Sequence, residues 1–481
     1  MGQPPVVLFM RRYFAGILFL LVLVTPFVLR LVMGASTTTT AGSDAVKLVI
    51  ITAHAEGVRR EFAEAFRKYH KDKFGTDVAF DYIAYQSEEL RRYLTDKNEF
   101  YDKKKTLDVD IAWGGGDYLF DQQLKPFLQP VAIDAALMKE AFPSPMLNGL
   151  PLYDLKNKPP YWFGAALSGF GITFNRDVLR YLNLPDPKTW SDLSDFKYST
   201  WVILADPTRS NSAKQAFMAI VERAMADAHD HHESEDVGWA RGMGMVRLIC
   251  SNARMFTDGS STVPGYIASG DGAAGMTIDY YGRTQVEAVG GNRLGYVQPV
   301  GATIINPDPI AMVKGAPHRE VAKQFIEFVL SRDGQMLWDK RAGTPGGPQT
   351  TNLRRLPIMP SIYKDTPDLV DTDDPFTSSG GFNKSPARED PTFRIIGELI
   401  QASCINCLDE LCETRREIMA SPHAKELDAK LGMFPFDQAE GNRRMVKYLR
   451  AKPVDQLAMM RQWTAEFRDE YKHLLEQANA K

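Results

Sequence analysis

The chain has 481 residues, 44% apolar and 24% charged, the proportions of a globular protein with room for about three domain-sized units. Fifty-seven basic residues against 60 acidic ones leave a net charge of −3, which removes the electrostatic case for gripping nucleic acid. Four cysteines are too few to staple a chain of this length, so it must stand on a hydrophobic core.

Residues 13–33 form an apolar run preceded by Arg11 and Arg12, the pattern of an export signal whose basic flank stays cytoplasmic. The stretch from Tyr13 to Leu29 is 17 residues long, at the lower edge of what spans roughly 30 Å of hydrocarbon. Residues 1–34 therefore read as a cleaved signal peptide or a retained membrane anchor. Either way the bulk of the chain is expected in a periplasmic or other extracytoplasmic space. Residues 35–44 are a small, polar tether with nothing to bury.

The folded part opens with a strand at 46–51, broken by Thr52-Ala-His-Ala-Glu-Gly57. A helix follows, with Val58, Phe62, Phe66 and Tyr69 on one stripe. A second strand at 78–83, a helix at 87–96 and a third strand at 107–113 complete a βαβαβ pattern. That order predicts a parallel sheet with helices on its faces, whose ligands collect at the carboxyl ends of the strands. The first strand ends in a loop carrying His54, and the third in Gly114-Gly115-Gly116-Asp117.

After a Pro-rich stretch at 143–160, a second α/β unit opens with Ala165–Asn175 and a strand at 200–205. Asp206–Ser212 then makes a turn and helix cap, before helices at 213–228 and 236–251. A strand from 272 ends in Asp279-Tyr280-Tyr281-Gly282. Beyond the segment near 310–314, a helix carries Val321, Phe325 and Val329 on one stripe. Residues 346–394 read as a loop-rich connector, and 395–481 as helical throughout, with Trp463, Phe467, Tyr471 and Leu474 at helical spacing.

Four stretches, Ile50–Glu56, Asp108–Asp117, Asp271–Tyr281 and Val313–Gln335, together resemble the extracellular solute-binding components of bacterial ABC importers, in the branch that includes ferric-ion-binding proteins. The resemblance covers about 45–350. It implies an α/β, two-lobed fold of the periplasmic-binding-protein type II kind with a crossover hinge, here with a helical C-terminal extension. Lobe 1 would take 45–155 plus the return segment 303–345, and lobe 2 would take 160–300. The lobes would close on one solute, which contacts both only in the closed state. The implied protein is a monomer without a resident cofactor; its partners are a permease in the cytoplasmic membrane and a small solute or ferric ion. No Gly-x-Ser-x-Gly, His-Glu-x-x-His or phosphate-loop signature argues for an enzyme.

In the ferric-binding relatives a histidine from the first loop and two adjacent tyrosines hold the ion. Those roles would fall on His54, Tyr280 and Tyr281. A trivalent cation favours anionic oxygen and can deprotonate a phenol of ordinary pKa ~10. The relatives also place a carboxylate ligand just after the third strand, where this chain has its glycine triplet; Asp117 or Glu88 are possible substitutes. Three glycines instead let backbone amides approach an anion, either alone or completing a metal's coordination. The candidate ligand-binding set is thus His54, Gly114, Gly115, Gly116, Asp117, Ser210, Asp279, Tyr280 and Tyr281, with Arg209 and Arg283 in neighbouring loops. Ferric iron leads, followed by a phosphonate, sugar phosphate or carboxylate; a membrane-tethered sensory or interaction protein is the alternative. Each element also has an ordinary reading as turn, core aromatic or helix cap.

Cys404, Cys407 and Cys412 lack a clear fourth zinc ligand, so in an exported protein a disulfide between two of them is expected rather than a metal. Cys250 reads as inert core, and His229-Asp-His-His-Glu233 as a solvated helix end.

Overall fold

A computed structural model describes residues 45–377 and 394–480. The apolar run 13–33 and the polar tether lie outside the described residues. Among those described, no helix is long and apolar enough to cross a membrane.

The chain enters through β1 (Val46–Thr52), α1 (Glu56–Phe74), β2 (Val78–Ala84), α2 (Ser87–Asn98) and β3 (Ile111–Trp113). β1 pairs in parallel with both β2 and β3. The third strand is shorter than the sequence pattern predicts. Asp108 takes a positive φ of 57°, and the buried Asp110 carboxylate accepts from the Val49 and His318 amides at 2.9 and 2.7 Å.

The run Ala165–Asn175, expected to open the second lobe, is divided between two sheets. β4 (Phe163–Ser168) joins the first sheet, and β5 (Phe170–Asn175) starts the second. The second lobe continues with β6 (Val202–Ala205), α3 (Asn211–Asp230), α4 (Glu235–Cys250), β7 (Ala253–Thr257), β8 (Ala274–Ile278), α5 (Asp279–Val289) and β9 (Leu294–Val297). The chain then returns to the first sheet as β10 (Asn306–Met312), followed by α6 (Arg319–Leu330), α7 (Arg332–Asp339) and β11 (Leu356–Pro357). The first sheet runs β11-β4-β10-β3-β1-β2 and the second β9-β5-β8-β6-β7.

Two chain crossings therefore join the two sheets, and they are tied together where they pass. The Thr303 hydroxyl donates to the Phe170 carbonyl at 2.8 Å and accepts from its amide at 3.1 Å. Gly169 donates its amide to the Asp279 carboxylate at 2.8 Å, and the Asp279 amide donates back to the Gly169 carbonyl at 2.9 Å. The start of α5 is thereby fastened to the hinge.

The segment 346–394, expected as loop, carries structure in its described part. β11 closes the edge of the first sheet, and Leu353, Ile358, Met359 and Ile362 are buried in the lobe 1 core with Phe62, Trp113 and Trp338. Its Pro and Gly content hid short elements that only tertiary burial stabilises.

The C-terminal helices α8 (Leu408–Ala420), α9 (Ala424–Leu431), α10 (Gln438–Arg450) and α11 (Pro453–Ala478) complete lobe 2. Ile396, Leu411, Phe467 and Tyr471 share one core with Phe217 and Trp239. The contact comes down to backbone: a Cβ on Gly244 of α4 would stand 1.8 Å from the Gly432 carbonyl oxygen, so only glycine fits there.

All four cysteines are free thiols, which corrects the expected disulfide. Cys407 and Cys412 direct their Sγ atoms at the carbonyls of Ala402 and Ala253, at 3.3 and 3.8 Å. No group of three or more His, Cys, Asp or Glu side chains among the described residues is arranged to hold a metal ion.

Candidate functional site

A cleft lies between the lobes at the carboxyl ends of β1, β3 and β8. Its floor is lobe 1's His54, Asp308 and Arg355; its roof is Tyr280 and Tyr281, with Ser210–Ser212 and Ser260 at the side. The cavity measures about 70 Å³, far below the roughly 300–1,000 Å³ of typical small-molecule sites. The described state is therefore closed. The Asn211 side-chain amide spans the cleft to the Gly115 carbonyl at 3.2 Å.

His54 stands edge-on against Trp113, ring centroids 4.5 Å apart, and its Nε2 is buried without a hydrogen-bond partner. Burial lowers its pKa to about 3, so the imidazole is neutral at physiological pH. Gly114 makes this packing possible. Its φ is 82°, and a Cβ there would meet His54 Nε2 at 2.9 Å.

The glycine triplet does not present its amides to the cleft as expected. Gly114 donates to the Pro309 carbonyl at 2.8 Å. Gly115 and Gly116 donate to one oxygen of Asp308, at 2.7 and 3.1 Å. The concave run of amides does bind a carboxylate, but an internal one. Asp308's other oxygen accepts from Arg355 at 2.6 Å. Burial works to raise the Asp308 pKa, but Arg355 and the Gly116 amide outweigh it and hold the carboxyl below its ordinary value.

Arg355 is the central residue that sequence reasoning missed. Its guanidinium is 1% exposed, pairs with Asp308, donates to the Ser168 hydroxyl at 2.7 Å, and lies 4.4 Å from the centroid of the Tyr280 ring. It spans the lobes, from β11's edge to α5. The signal available was a charged residue within Pro307-Asp308-Pro309 and another beside Leu356-Pro357, each inside an apolar run. Gln215 on α3 was missed as well; it is 4% exposed and its Oε1 has no partner.

The Tyr280 and Tyr281 rings pack tilted at 41°, centroids 4.1 Å apart, and burial raises both phenol pKa values. His54, Gly115, Gly116, Ser210, Tyr280 and Tyr281 line the cleft; Gly114, Asp117 and Asp279 do not. Asp117 accepts from Asn306 Nδ2 at 2.8 Å, and Asp279 belongs to the hinge. Glu88 is exposed and paired with Arg91, so neither carboxylate proposed as a substitute ligand enters the cleft. Arg209 borders it, paired with Asp258. Arg283 is engaged elsewhere, with Asp371 at 3.3 Å and Asp373 at 3.0 Å. With Arg354 to Glu287 at 2.8 Å, it fastens α5 of lobe 2 to the segment after α7 on lobe 1.

Two sheets joined by paired crossings, with a polar cleft between them, make the architecture of a two-lobed solute-binding protein. The family model described as "Bacterial extracellular solute-binding protein" matches residues 64–369, and the chain belongs to that family, whose members bind small solutes and work with ABC permeases outside the cytoplasm. The phosphoglycerate transport regulatory protein PgtC of Salmonella typhimurium is 26% identical over 206 residues, 41% of this chain and 48% of that protein. Iron uptake protein A1 of Synechocystis is 26% identical over 198 residues, 39% of this chain and 50% of that protein. The chain thus spans about half the length of the curated relatives it matches. Among solved structures, the periplasmic binding protein AfuA from Actinobacillus pleuropneumoniae, with fructose-6-phosphate bound, superposes with a TM-score of 0.53 at 18% identity. The match covers 75% of this chain and 98% of AfuA, which establishes the shared fold.

Proposed function

We propose that the cleft captures a small solute bearing a phosphate or carboxylate group and delivers it, as a monomer, to an ABC permease. One observation carries this reading. Asp308 is the only acid among the described cleft-lining residues, and it is spent on Arg355 and two glycine amides. What remains for a guest is donor-rich. The N-termini of α2 and α3 open on the cleft through Ser87 and Asn211, where amides and helix dipoles favour negative charge. The hydroxyls of Ser87, Ser210, Ser212 and Ser260 stand beside them. The name of the Salmonella relative, a phosphoglycerate transport regulatory protein, is in keeping with such a guest. A solute of that size enters only when the lobes part about Gly169 and binds as they close.

Ferric iron is the second reading, supported by the unpartnered Nε2 of His54, the adjacent phenols and a cavity of ionic size. Against it, a ferric ion wants anionic oxygen, and the buried guanidinium of Arg355 sits over the phenol that would supply it. Thermal unfolding of the purified protein with 3-phosphoglycerate, a hexose 6-phosphate, inorganic phosphate and ferric citrate separates the two. A bound solute at a hundredfold excess over its Kd adds about 2.7 kcal/mol of stability. Stabilisation by a phosphorylated solute without colour supports the anion. A visible phenolate-to-iron band with ferric citrate, and no response to the anions, overturns it.

A further inference from the structure

Residues 394–480 lie outside the family match, and their packing on lobe 2 leaves one corner uncovered. α10 and α11 meet at Ala451 and Lys452. Around that turn Val446, Leu449, Val454 and Leu457 are 47%, 54%, 72% and 53% exposed. These are not frayed core positions. Met445, Met460 and Trp463 bury the opposite faces of the same helices, Tyr448 packs on Trp463 with centroids 5.6 Å apart, and Gln456 Nε2 donates to the Tyr448 carbonyl at 3.1 Å.

The aliphatic side chains alternate with exposed cations. Lys447, Arg450, Lys452 and Arg461 are all exposed, and no ion pair among the described residues engages them, whereas Arg443 and Arg444 are held by Glu440 and Glu466. Asp455 is the one exposed acid in the span 446–461. A basic corner on a chain of net charge −3 is local, not a reflection of overall composition.

We propose that this corner docks on an anionic phospholipid surface, Val446, Leu449, Val454 and Leu457 entering the headgroup region while the four basic side chains meet lipid phosphates. Aliphatic residues interleaved with long cations are the composition of an interfacial helix, and the stems of lysine and arginine lie along apolar surface while their heads stay at the phosphates. Protein-binding hot spots draw instead on tryptophan, tyrosine and arginine seated in pockets. The chain's basic-apolar N-terminal pattern and its family both put it beside a membrane. Docking through lobe 2 would leave lobe 1 free to swing about Gly169.

Hydrogen exchange of the full chain on phosphatidylglycerol and on phosphatidylcholine vesicles tests this. The apolar segment 13–33, if retained, brings the chain to both lipids, so the part of the difference that charge reversal at the corner removes reports the corner. Each basic side chain near an anionic surface is worth about fivefold in affinity. Amides of 446–457 are expected to exchange at least severalfold more slowly on phosphatidylglycerol alone, and the K447E/R450E/K452E variant is expected to lose that protection. Leu457→Gln, at an exposed site that leaves the core intact, should weaken it without altering the fold. Equal exchange on the two lipids overturns the proposal. So does protection that grows with protein concentration in the absence of vesicles, which would assign the corner to self-association.

Discussion

Two arginines, each buried to 1% exposure or less, do opposite things in this molecule. Arg247, in the seam between lobe 2 and the C-terminal helices, donates to the carbonyls of Leu431 and Met433 at 2.6 and 2.8 Å and pairs with Glu470 at 2.9 Å. Arg355, in the cleft, pairs with Asp308 but leaves its Nε without a partner. A buried cation is retained only where its hydrogen bonds are met. The seam meets them, and the result is a fixed joint. The cleft leaves polar atoms open on Arg355, His54 and Gln215, the groups that the proposed guest would meet.

If that contrast is right, seam variants should change stability and cleft variants should change binding. Arg247→Met is expected to have the largest effect, about 3–5 kcal/mol, because it strands two carbonyls and the partner of a buried pair; urea unfolding measures it, and unaltered solute affinity per folded molecule would sharpen the comparison. Gly114→Ala should follow at about 2–3 kcal/mol, from a φ of 82° and a Cβ 2.9 Å from His54 Nε2, and should also lower affinity in calorimetry. Arg283→Ala should cost about 1–2 kcal/mol. Because its partner segment lies on the other lobe, it should also shift the open–closed balance seen by small-angle scattering.

The pH dependence is the most diagnostic effect. The pKa of His54 is depressed to about 3 by burial, so between the ordinary value near 6.5 and 3 the unfolded chain binds the extra proton. Stability should therefore fall as pH drops through that window. Asp339 works the other way. Burial and then the neighbouring Asp371 push its pKa up to about 9, so the folded chain holds the extra proton and stability should decline as pH rises toward 9. Denaturant midpoints of the wild type and of His54→Phe across this range check the acid limb, which the variant should flatten.

The approach to the cleft was legible in the sequence. A β-branched strand broken at His54, a strand ending in glycines and a strand ending in a tyrosine pair each mark a carboxyl edge, and alternation of strand with helix brings such edges together. The glycine triplet shows where local reading stopped. Its positive φ angles follow from its composition, yet the carboxylate its amides hold comes from Asp308, 192 residues beyond Gly116.

Periodicity and turn chemistry by themselves determined that this chain is α/β, that it has two sheet-building units and a helical tail, and that His54, Tyr280 and Tyr281 sit at strand ends. Those signals act over a few residues and survive without any neighbour. Only the tertiary structure decided that Ser168 and Phe170 belong to different lobes, that the tail shares one core with lobe 2, and that Arg355 neutralises the cleft's carboxylate. These outcomes depend on which distant groups desolvate one another, and a buried charge has no meaning until its partner is in place.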